Sequence, residues 1–229
     1  MVRSPRIVIP GVPHHVTQRG NNCQDVFLRP EDRSMYLKAL SRYAGKYELD
    51  ILGYCLMTNH VHLLVTPRSE ESLSLGMGQT HWRYSQAFNR FHDRSGHLWQ
   101  GRFYSCPLDD VHAYRTLSYI ETNPVRARIV RKAWDYPWSS AQCHVGMDDP
   151  PRWLKMAPWS EWSNPKEWKG QLEIKPEDTY LEAIHRHTLR GHPLGNDGFI
   201  SRLEKKLGCR LRPRPIGRPS VSVFERSCS

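Results

Sequence analysis

The chain has 229 residues, enough for one domain with an extension or for two small domains. Its content of 38% hydrophobic and 10% aromatic residues excludes a wholly disordered protein. A formal net charge of +10 favours a polyanionic partner such as nucleic acid, although a basic protein without such a partner would have the same composition.

The first half of the chain predicts strands and helices in a regular order. Apolar runs bounded by turn residues predict strands at residues 14–17, 49–57, 61–65 and 97–108. Helical spacing predicts helices at 30–47, 72–91 and 111–122, the last one capped by Asp109 and Asp110. This order is that of a ferredoxin-like split βαβ fold with one helix appended. We therefore expect an α+β domain with one antiparallel sheet and helices on one face.

The composition changes after about residue 141 and divides the chain into three parts. We assign 1–145 to the α+β domain, 146–176 to an irregular connection, and 177–229 to a helical C-terminal extension with a basic tail. The extension contains two capped helices, EDTYLEAIHRHTLRG and NDGFISRLEKKLG, which can form either a DNA-binding helix-turn-helix or a simple packing hairpin.

The cysteines and the N-terminus indicate the compartment. Six cysteines occur with no C-x-x-C pair, which argues against a zinc ribbon and a disulfide framework. The N-terminal segment has no long apolar core, and no apolar run reaches membrane-spanning length. We expect a cytoplasmic protein with no membrane contact.

Two histidines lie close together in the strand predicted after the turn at Asn59. Residues i and i+2 of a strand project from the same face, so His60 and His62 point together while Val61 points to the opposite layer. Two imidazoles on a rigid sheet can hold one divalent cation and leave positions open for substrate. The alternative is a pair of polar residues on a solvated face.

Tyr119 and Asn123 lie four residues apart on the third predicted helix and therefore share a face. A phenol is a usable nucleophile toward phosphorus once its proton is removed, and an amide oxygen can bind Mg²⁺ or Mn²⁺. Each residue also has a structural interpretation. Tyr119 suits the core, and Asn123 suits the cap of a helix that begins at Pro124.

Three segments together resemble the single-tyrosine HUH transposases, and among them the REP-associated tyrosine transposases of bacteria. They are LMTNHVHLLV, WQGRFYS and YIETNPVRARIV, in the order that this family shows. The resemblance covers roughly residues 7–145. It implies that this part of the chain is a catalytic domain that acts on DNA.

The resemblance also implies a role for each matching residue. His60 and His62 match paired ligands of a divalent metal ion, Mg²⁺ or Mn²⁺, and Asn123 matches a variable third ligand. Tyr119 matches the nucleophile that attacks single-stranded DNA near a hairpin and forms a 5′-phosphotyrosine with a free 3′-OH. Other nucleophiles are open from the sequence: Tyr104, Tyr114 and Tyr136.

Candidate DNA contacts combine positive charge with aromatic or amide groups. Trp99 and Arg102 can stack on a base and bind a phosphate, or they can be a core tryptophan and a surface arginine. The tail can lie along a hairpin stem or remain a solvated basic segment. The full set of predicted contacts is Arg19, Asn21, Trp99, Arg102, Arg126, Arg210, Arg212 and Arg214.

Other functions fit parts of this pattern. One is a sequence-specific DNA-binding protein or repressor on the same fold without catalysis. Another is a relaxase or a replication-initiation nuclease, and a third is a hydrolase of small phosphoesters, which would not need so basic a surface. With single-stranded or hairpin DNA as the partner, both a monomer and a homodimer fit the sequence.

Overall fold

The computed structural model describes residues 6–212, and within them four strands form one sheet. The strands are β1 His14–Arg19, β2 Leu49–Leu56, β3 His60–Pro67 and β4 Tyr104–Pro107. All neighbouring pairs are antiparallel, and the order across the sheet is β2-β3-β1-β4. This is the ferredoxin-like order, so the predicted α+β fold with a single antiparallel sheet is confirmed.

The helices follow the predicted order through the first domain and continue into the C-terminal part. Asp109 caps α3 as expected, because its side chain accepts a hydrogen bond from the His112 backbone N–H. None of the helices in the described range is long and apolar enough to cross a membrane. The bounds are α1 Pro30–Lys46, α2 Ser72–Phe91, α3 Asp110–Glu121, α4 Asn123–Arg126, α5 Ala141–His144, α6 Ala157–Trp162, α7 Pro165–Glu173, α8 Asp178–Arg190 and α9 Asp197–Leu207.

Helices α1 and α2 cover one face of the sheet. Val61, Leu63 and Val65 point from β3 into this layer, where they meet Leu40 of α1 and Tyr84 of α2 in one buried cluster. Val61 is fully buried, as its place between the two histidines predicted. The alternation of side chains along β3 therefore sends His60 and His62 to the other face.

Helix α3 packs on that second face, so the prediction that all helices lie on one face is wrong. Leu64 of β3 and Leu52 of β2 share a second buried cluster with Leu117 and Ile120 of α3. Gly53 permits this close approach, since a Cβ at that position would lie 2.2 Å from Leu117 Cδ1. Both faces of the sheet are apolar, and each requires a helical cover.

The strand predicted at 97–108 is reduced to β4, Tyr104–Pro107. Of the preceding residues, Trp99 forms only an isolated antiparallel bridge with Gly20 past the end of β1, where Gln100 N–H donates to the Arg19 carbonyl oxygen. Leu98 and Trp99 leave the strand alternation because both side chains enter the core beside α2. This loop brings Gln100 to the end of β1.

The segment 146–176, predicted to be irregular, contains helices α6 and α7. Trp159 and Trp168 are buried against α3, so this connection has a core of its own. The fully buried carboxylate of Glu121 ties it to the end of α3. Its two oxygens accept hydrogen bonds from Ser140 Oγ at 2.5 Å, His144 Nδ1 at 2.5 Å and Trp168 Nε1 at 2.8 Å.

The helical extension is confirmed, and α8 lies beside α3 on the second face of the sheet. Ile184 of α8 belongs to the same buried cluster as α3, and Tyr180 Oη lies 2.8 Å from Thr116 Oγ1 of α3. After α8 the chain is bonded to the edge strand, where Leu194 N–H donates to the Pro107 carbonyl oxygen. The DNA-binding role of this extension stays a prediction.

Replacing Glu121 with alanine should lower the free energy of unfolding by about 3 kcal/mol or more, because three buried donors would lose their acceptor. Urea unfolding followed by circular dichroism measures the change. The control is Glu167→Ala, which removes an exposed carboxylate from α7 and should cost less than about 0.5 kcal/mol. Equal losses in the two variants would show that the buried network contributes little.

Candidate active site

A cavity of about 430 Å³ opens on the second face of the sheet, between the end of α3 and the side of α8. Five residues of the predicted site line it together: Arg19, His60, His62, Tyr119 and Asn123. The remaining lining residues come from β1, the loop before β4, β4 and α8: His15, Thr17, Gln100, Tyr104, His185, Thr188 and Leu189.

Asn59 fixes the tautomer of His60. The Asn59 side-chain N–H₂ donates to the Cys23 carbonyl oxygen at 3.2 Å, which turns its Oδ1 atom toward His60 Nδ1 at 2.6 Å. An amide oxygen can only accept, so the proton of neutral His60 is on Nδ1. The lone pair is therefore on Nε2, the nitrogen that this bond leaves for a metal ion.

His62 is hydrogen-bonded to the imidazole of His15. Its Nδ1 atom lies 2.9 Å from Nε2 of His15, and the other ring nitrogen of His15 lies 2.8 Å from Thr188 Oγ1 of α8. The rings of His60 and His62 are 4.9 Å apart between centroids. Two imidazoles are thus side by side at the cavity, each with its Nδ1 atom already bonded.

Burial keeps these imidazoles neutral. It lowers the pKa of His60 to about 4, with smaller contributions from the charges of Arg19 and Arg126. Burial also lowers the pKa of His62 well below its usual range, and that of His15 to about 3. A neutral imidazole has a lone pair available, so the pair suits a metal ion better than a bound anion.

Tyr119 lies on the last turn of α3, with its ring perpendicular to that of His62 and 5.5 Å away between centroids. The guanidinium carbon of Arg126 is 4.3 Å from the Tyr119 ring centroid. Burial raises the pKa of the Tyr119 hydroxyl, and the positive charges of Arg126 and Arg19 oppose this rise. The two arginines therefore favour the phenolate that a nucleophile needs.

Asn123 reaches the cavity, and its role as a third metal ligand stays a prediction. Its Oδ1 atom accepts a hydrogen bond from Arg126 at 2.7 Å, and the guanidinium charge there repels a cation. If the Asn123 amide were turned so that Nδ2 faced Arg126 in place of Oδ1, two hydrogen-bond donors would face each other. Asn123 does not cap α4 either, since the N-cap residue is Thr122.

The other metal-binding groups near His60 and His62 do not complete a closed site. Among residues 6–212 no three His, Cys, Asp or Glu side chains are grouped to hold a metal ion. His15 is the nearest further imidazole, and hydrogen bonds engage both of its nitrogens. Within the described residues, His60 and His62 thus form a pair of imidazoles at this cavity whose Nε2 atoms make no hydrogen bond to the protein.

The competing tyrosines differ in their access to the cavity. Tyr136 is buried and its hydroxyl donates to the Leu56 carbonyl oxygen at 2.7 Å. Tyr114 packs on Trp168, 5.0 Å away between ring centroids, on the side of α3 that faces α7. Tyr104 lines the same cavity as Tyr119 and is the competitor that experiments must test.

The DNA contacts predicted near the cavity have mixed outcomes. Arg19 is exposed at its edge, Arg102 is exposed on the loop before β4, and Asn21 is half-buried after β1. Arg126 lies over Tyr119 and also donates to the backbone oxygen of that residue at 2.9 Å. Its charge therefore lies beside the Tyr119 ring.

Trp99 is not available for stacking on a base, so that prediction is wrong. The side chain is 8% exposed and packs among Tyr36, Tyr84 and His81. Its indole N–H donates to the His81 carbonyl oxygen at 3.2 Å. The alternative of a core tryptophan is the one that the structure supports.

In the basic tail, Arg210 is exposed and Arg214 lies outside the described residues. Arg212 is paired with Glu204 and also donates to Ser201 Oγ at 2.9 Å. These intramolecular bonds oppose its predicted role as a DNA contact, because a phosphate would have to compete with the Glu204 carboxylate.

Sequence reasoning missed the residues that complete the cavity from β1 and α8. His15 and Thr188 are 173 positions apart, and nothing in their local sequence indicates that they meet. The adjacent pair of histidines at 14 and 15 was a signal, since the strand alternation sends one of them to the face of His62. The pairing of Thr17 with His62 across β1 and β3 places His15 on that face.

Comparisons with known proteins agree with the resemblance found in the sequence. A family model described as "Transposase IS200 like" matches residues 12–123. A Haemophilus influenzae protein named as a REP-associated tyrosine transposase is 26% identical over 151 residues, which are 61% of this chain and 78% of that protein. A solved REP-associated tyrosine transposase, bound to a REP hairpin, has a TM-score of 0.53 at 21% identity; the match covers 68% of this chain and 92% of that one.

The tautomer of His60 provides a test of this geometry without metal or DNA. In nitrogen-15 NMR of histidine-labelled protein at pH 7, Nε2 of His60 should resonate as an unprotonated nitrogen. Asn59→Ala should reduce that preference, because the acceptor for Nδ1–H is lost.

The matched variant is Asn59→Asp, which keeps an acceptor oxygen and should keep the Nδ1–H tautomer. The signal is assigned by its loss in His60→Ala. A protonated Nε2 in the unmodified protein would contradict the orientation of Asn59.

Proposed function

Residues 12–123 match the family model described as "Transposase IS200 like", and on that similarity we propose that this protein is a single-tyrosine DNA strand transferase. It would cleave and rejoin single-stranded DNA near hairpin sequences. The observation that carries the proposal is the meeting of Tyr119, His60 and His62 in one cavity edged by Arg19 and Arg126. A nucleophile, metal-binding imidazoles and positive charge are the groups that phosphoryl transfer requires.

Tyr119 would begin the reaction on a phosphate of the bound strand. Its phenolate oxygen attacks phosphorus, the bond from phosphorus to the 3′ oxygen breaks, and that oxygen takes up a proton to leave as a 3′-OH. The 5′ phosphate stays on Tyr119 as a phosphodiester. Because this bond keeps the energy of the broken one, a 3′-OH can reverse the step on another strand without an external energy source.

His60 and His62 would hold a divalent metal ion, Mg²⁺ or Mn²⁺, through their Nε2 atoms. Such an ion polarises a phosphate and offsets the charge that develops during the transfer. The two residues fit this role because burial keeps their rings neutral and their protein hydrogen bonds are made at Nδ1, which leaves Nε2 of each ring free to face the cavity.

The charges of the cavity wall would position the DNA strand. Arg126 is fixed by hydrogen bonds to Thr122 Oγ1 and Asn123 Oδ1, so its charge stays over Tyr119. Arg19 is exposed at the edge, where it can neutralise a phosphate next to the cleaved one. A single strand bound here would bring a backbone phosphate within bonding distance of Tyr119 on the cavity wall.

Tyr119→Phe should abolish the covalent adduct between the protein and labelled single-stranded hairpin DNA in the presence of Mn²⁺. The reason is that phenylalanine lacks the attacking oxygen. A denaturing gel measures the adduct, and DNA binding in a gel-shift assay should be nearly unchanged.

The matched control is Tyr104→Phe, which removes a hydroxyl from the wall of the same cavity. It should retain the adduct. An adduct that persists in Tyr119→Phe and disappears in Tyr104→Phe would move the nucleophile to Tyr104. A wild-type protein that binds the hairpin and forms no adduct would instead be a DNA-binding protein without catalysis.

His60→Ala should abolish cleavage and leave most of the DNA affinity, which comes from arginine and lysine contacts with phosphates. Mn²⁺ affinity, measured by calorimetry, should fall more than roughly 10–100-fold. A fall of that size is typical when a residue that hydrogen-bonds to a metal ligand is removed, and here the ligand itself is lost. His97→Ala, an exposed histidine outside the cavity, is the control. An unchanged Mn²⁺ affinity in His60→Ala would remove the metal-binding role.

A further inference from the structure

We propose that the loop after α4, together with α7, forms a docking surface for the paired stem of hairpin DNA. The basic side chains of this stem surface are Arg128, Arg131 and Lys132 of the loop and Lys169 of α7. The inference rests on the proposed function in taking hairpin DNA as the substrate. It goes beyond the cavity, since none of these four residues lines it.

The chain after α3 carries a local excess of positive charge. Residues 122–147 contain four lysine and arginine residues and a single carboxylate, Asp135. All four side chains of the stem surface are exposed. Within the described residues none of them forms an ion pair, whereas Arg115 and Arg212 are each paired with a glutamate. Positive charges without internal partners are available to neutralise phosphates.

Arg128 has a backbone conformation that favours glycine. Its φ is 58°, in the left-handed region. The residue follows α4 in a turn in which Arg128 N–H donates to the Val125 carbonyl oxygen and Ile129 N–H donates to the Pro124 carbonyl oxygen, both at 2.9 Å. Glycine is the usual residue at this position of such a turn. The turn itself therefore does not account for an arginine here, and a function of the side chain does.

The same turn places the stem surface beside the cavity. The bond from Ile129 to Pro124 folds the loop back on α4, next to Asn123, which lines the cavity. Arg126, two residues before Arg128, lies over the ring of Tyr119. A phosphate bound by Arg128 is thus next to the cavity and outside it. A stem docked on this surface brings the adjoining single strand to Tyr119.

Trp134 connects the loop to α7 at the other end of the stem surface. The Nζ atoms of Lys132 and Lys169 lie 5.7 and 4.9 Å from the centroid of its ring. Such contacts hold an ammonium group over an aromatic face. Trp134 is 4% exposed, so it supports the two lysines and offers no face to a base. The surface therefore spans two elements that pack together.

The chemistry of the stem surface suits paired DNA better than unpaired DNA. Sites for single strands combine positive charge with exposed aromatic rings on which the bases stack. The stem surface has the charge, but its exposed groups are arginine and lysine, and Trp134 is buried. In a duplex the bases stack on each other, and the phosphates are what a basic surface contacts. The cavity then receives the unpaired strand and the stem surface the paired part.

Arg128→Gly separates the charge from the turn. Glycine adopts the left-handed conformation without strain, so the midpoint of thermal unfolding should stay the same or rise. Affinity for labelled hairpin DNA, measured by fluorescence anisotropy over a series of salt concentrations, should nevertheless fall. The slope of log affinity against log salt should become shallower by about 0.9, the value for one phosphate contact.

Arg128→Lys is the matched variant, because it keeps the positive charge in the same turn. It should keep the salt slope of the wild type. An Arg128→Gly variant with unchanged hairpin affinity and unchanged slope would contradict the proposal. Because glycine suits this turn, the result does not depend on whether a strained variant folds.

A variant with four substitutions tests the whole stem surface. Its affinity for the hairpin at about 0.1 M salt should fall by roughly tenfold or more. The substitutions are Arg128→Gly, Arg131→Gln, Lys132→Gln and Lys169→Gln. The control removes four exposed positive charges from α1 and α2, on the other face of the sheet: Lys38→Gln, Arg42→Gln, Lys46→Gln and Arg83→Gln. Equal falls in the two variants would show that only net charge matters and would overturn the proposal.

A second DNA identifies the part of the substrate that the surface contacts. It is a single strand that lacks the complementary arm of the stem, and the wild type and the fourfold variant should bind it equally. A variant that loses as much affinity for this strand as for the hairpin would place unpaired DNA on the surface and refute the stem. A wild type that binds the hairpin no more tightly than the single strand would do the same.

Failure of the proposed function has a different signature. If neither protein forms a covalent adduct and the fourfold variant still binds the hairpin more weakly, strand transfer is refuted and the stem surface stands. If both form the adduct and bind the hairpin with equal affinity, the inference alone is refuted. At saturating hairpin the rate of adduct formation should be the same in both, because the surface does not touch the reacting atoms.

Discussion

The geometry of the site depends on the alternation of side chains along β3. Val61, Leu63 and Val65 anchor that strand in the layer under α1 and α2, and this forces His60 and His62 to the opposite face. A shift of the strand by one residue would bury both histidines among the apolar side chains of the first face and turn Val61 toward the cavity. The apolar core on one side of the sheet therefore fixes the position of the imidazoles on the other.

The second face must remove the same imidazoles from water and still leave them open to a substrate. The structure meets both demands by placing α3 and α8 side by side, with the cavity between them. The buried carboxylate of Glu121 holds the end of α3 against α7, two residues beyond Tyr119. The position of Tyr119 thus depends on packing that extends well beyond its own helix.

Patterns within a few residues predicted much of this arrangement, and contacts distant in sequence account for most of the errors. Strand and helix periodicity placed His60, His62, Tyr119 and Asn123 on the correct faces, because those faces follow from local geometry. The same local evidence did not reveal that Arg126 donates a hydrogen bond to Asn123 Oδ1 or that the Trp99 side chain is buried in the core. Nor did it predict the second helical layer, which depends on the apolar character of both faces of the sheet.

The position of α8 changes what counts as the smallest working unit of this protein. Residues 12–123 match the family model, yet one wall of the cavity is formed by His185, Thr188 and Leu189. In evolutionary terms, a substitution in the extension and one in β1 are not independent, since each alters the surroundings of the other. Sequence changes at Thr188 should therefore be tolerated only together with compensating changes around His15, and the two segments should diverge among relatives as a pair.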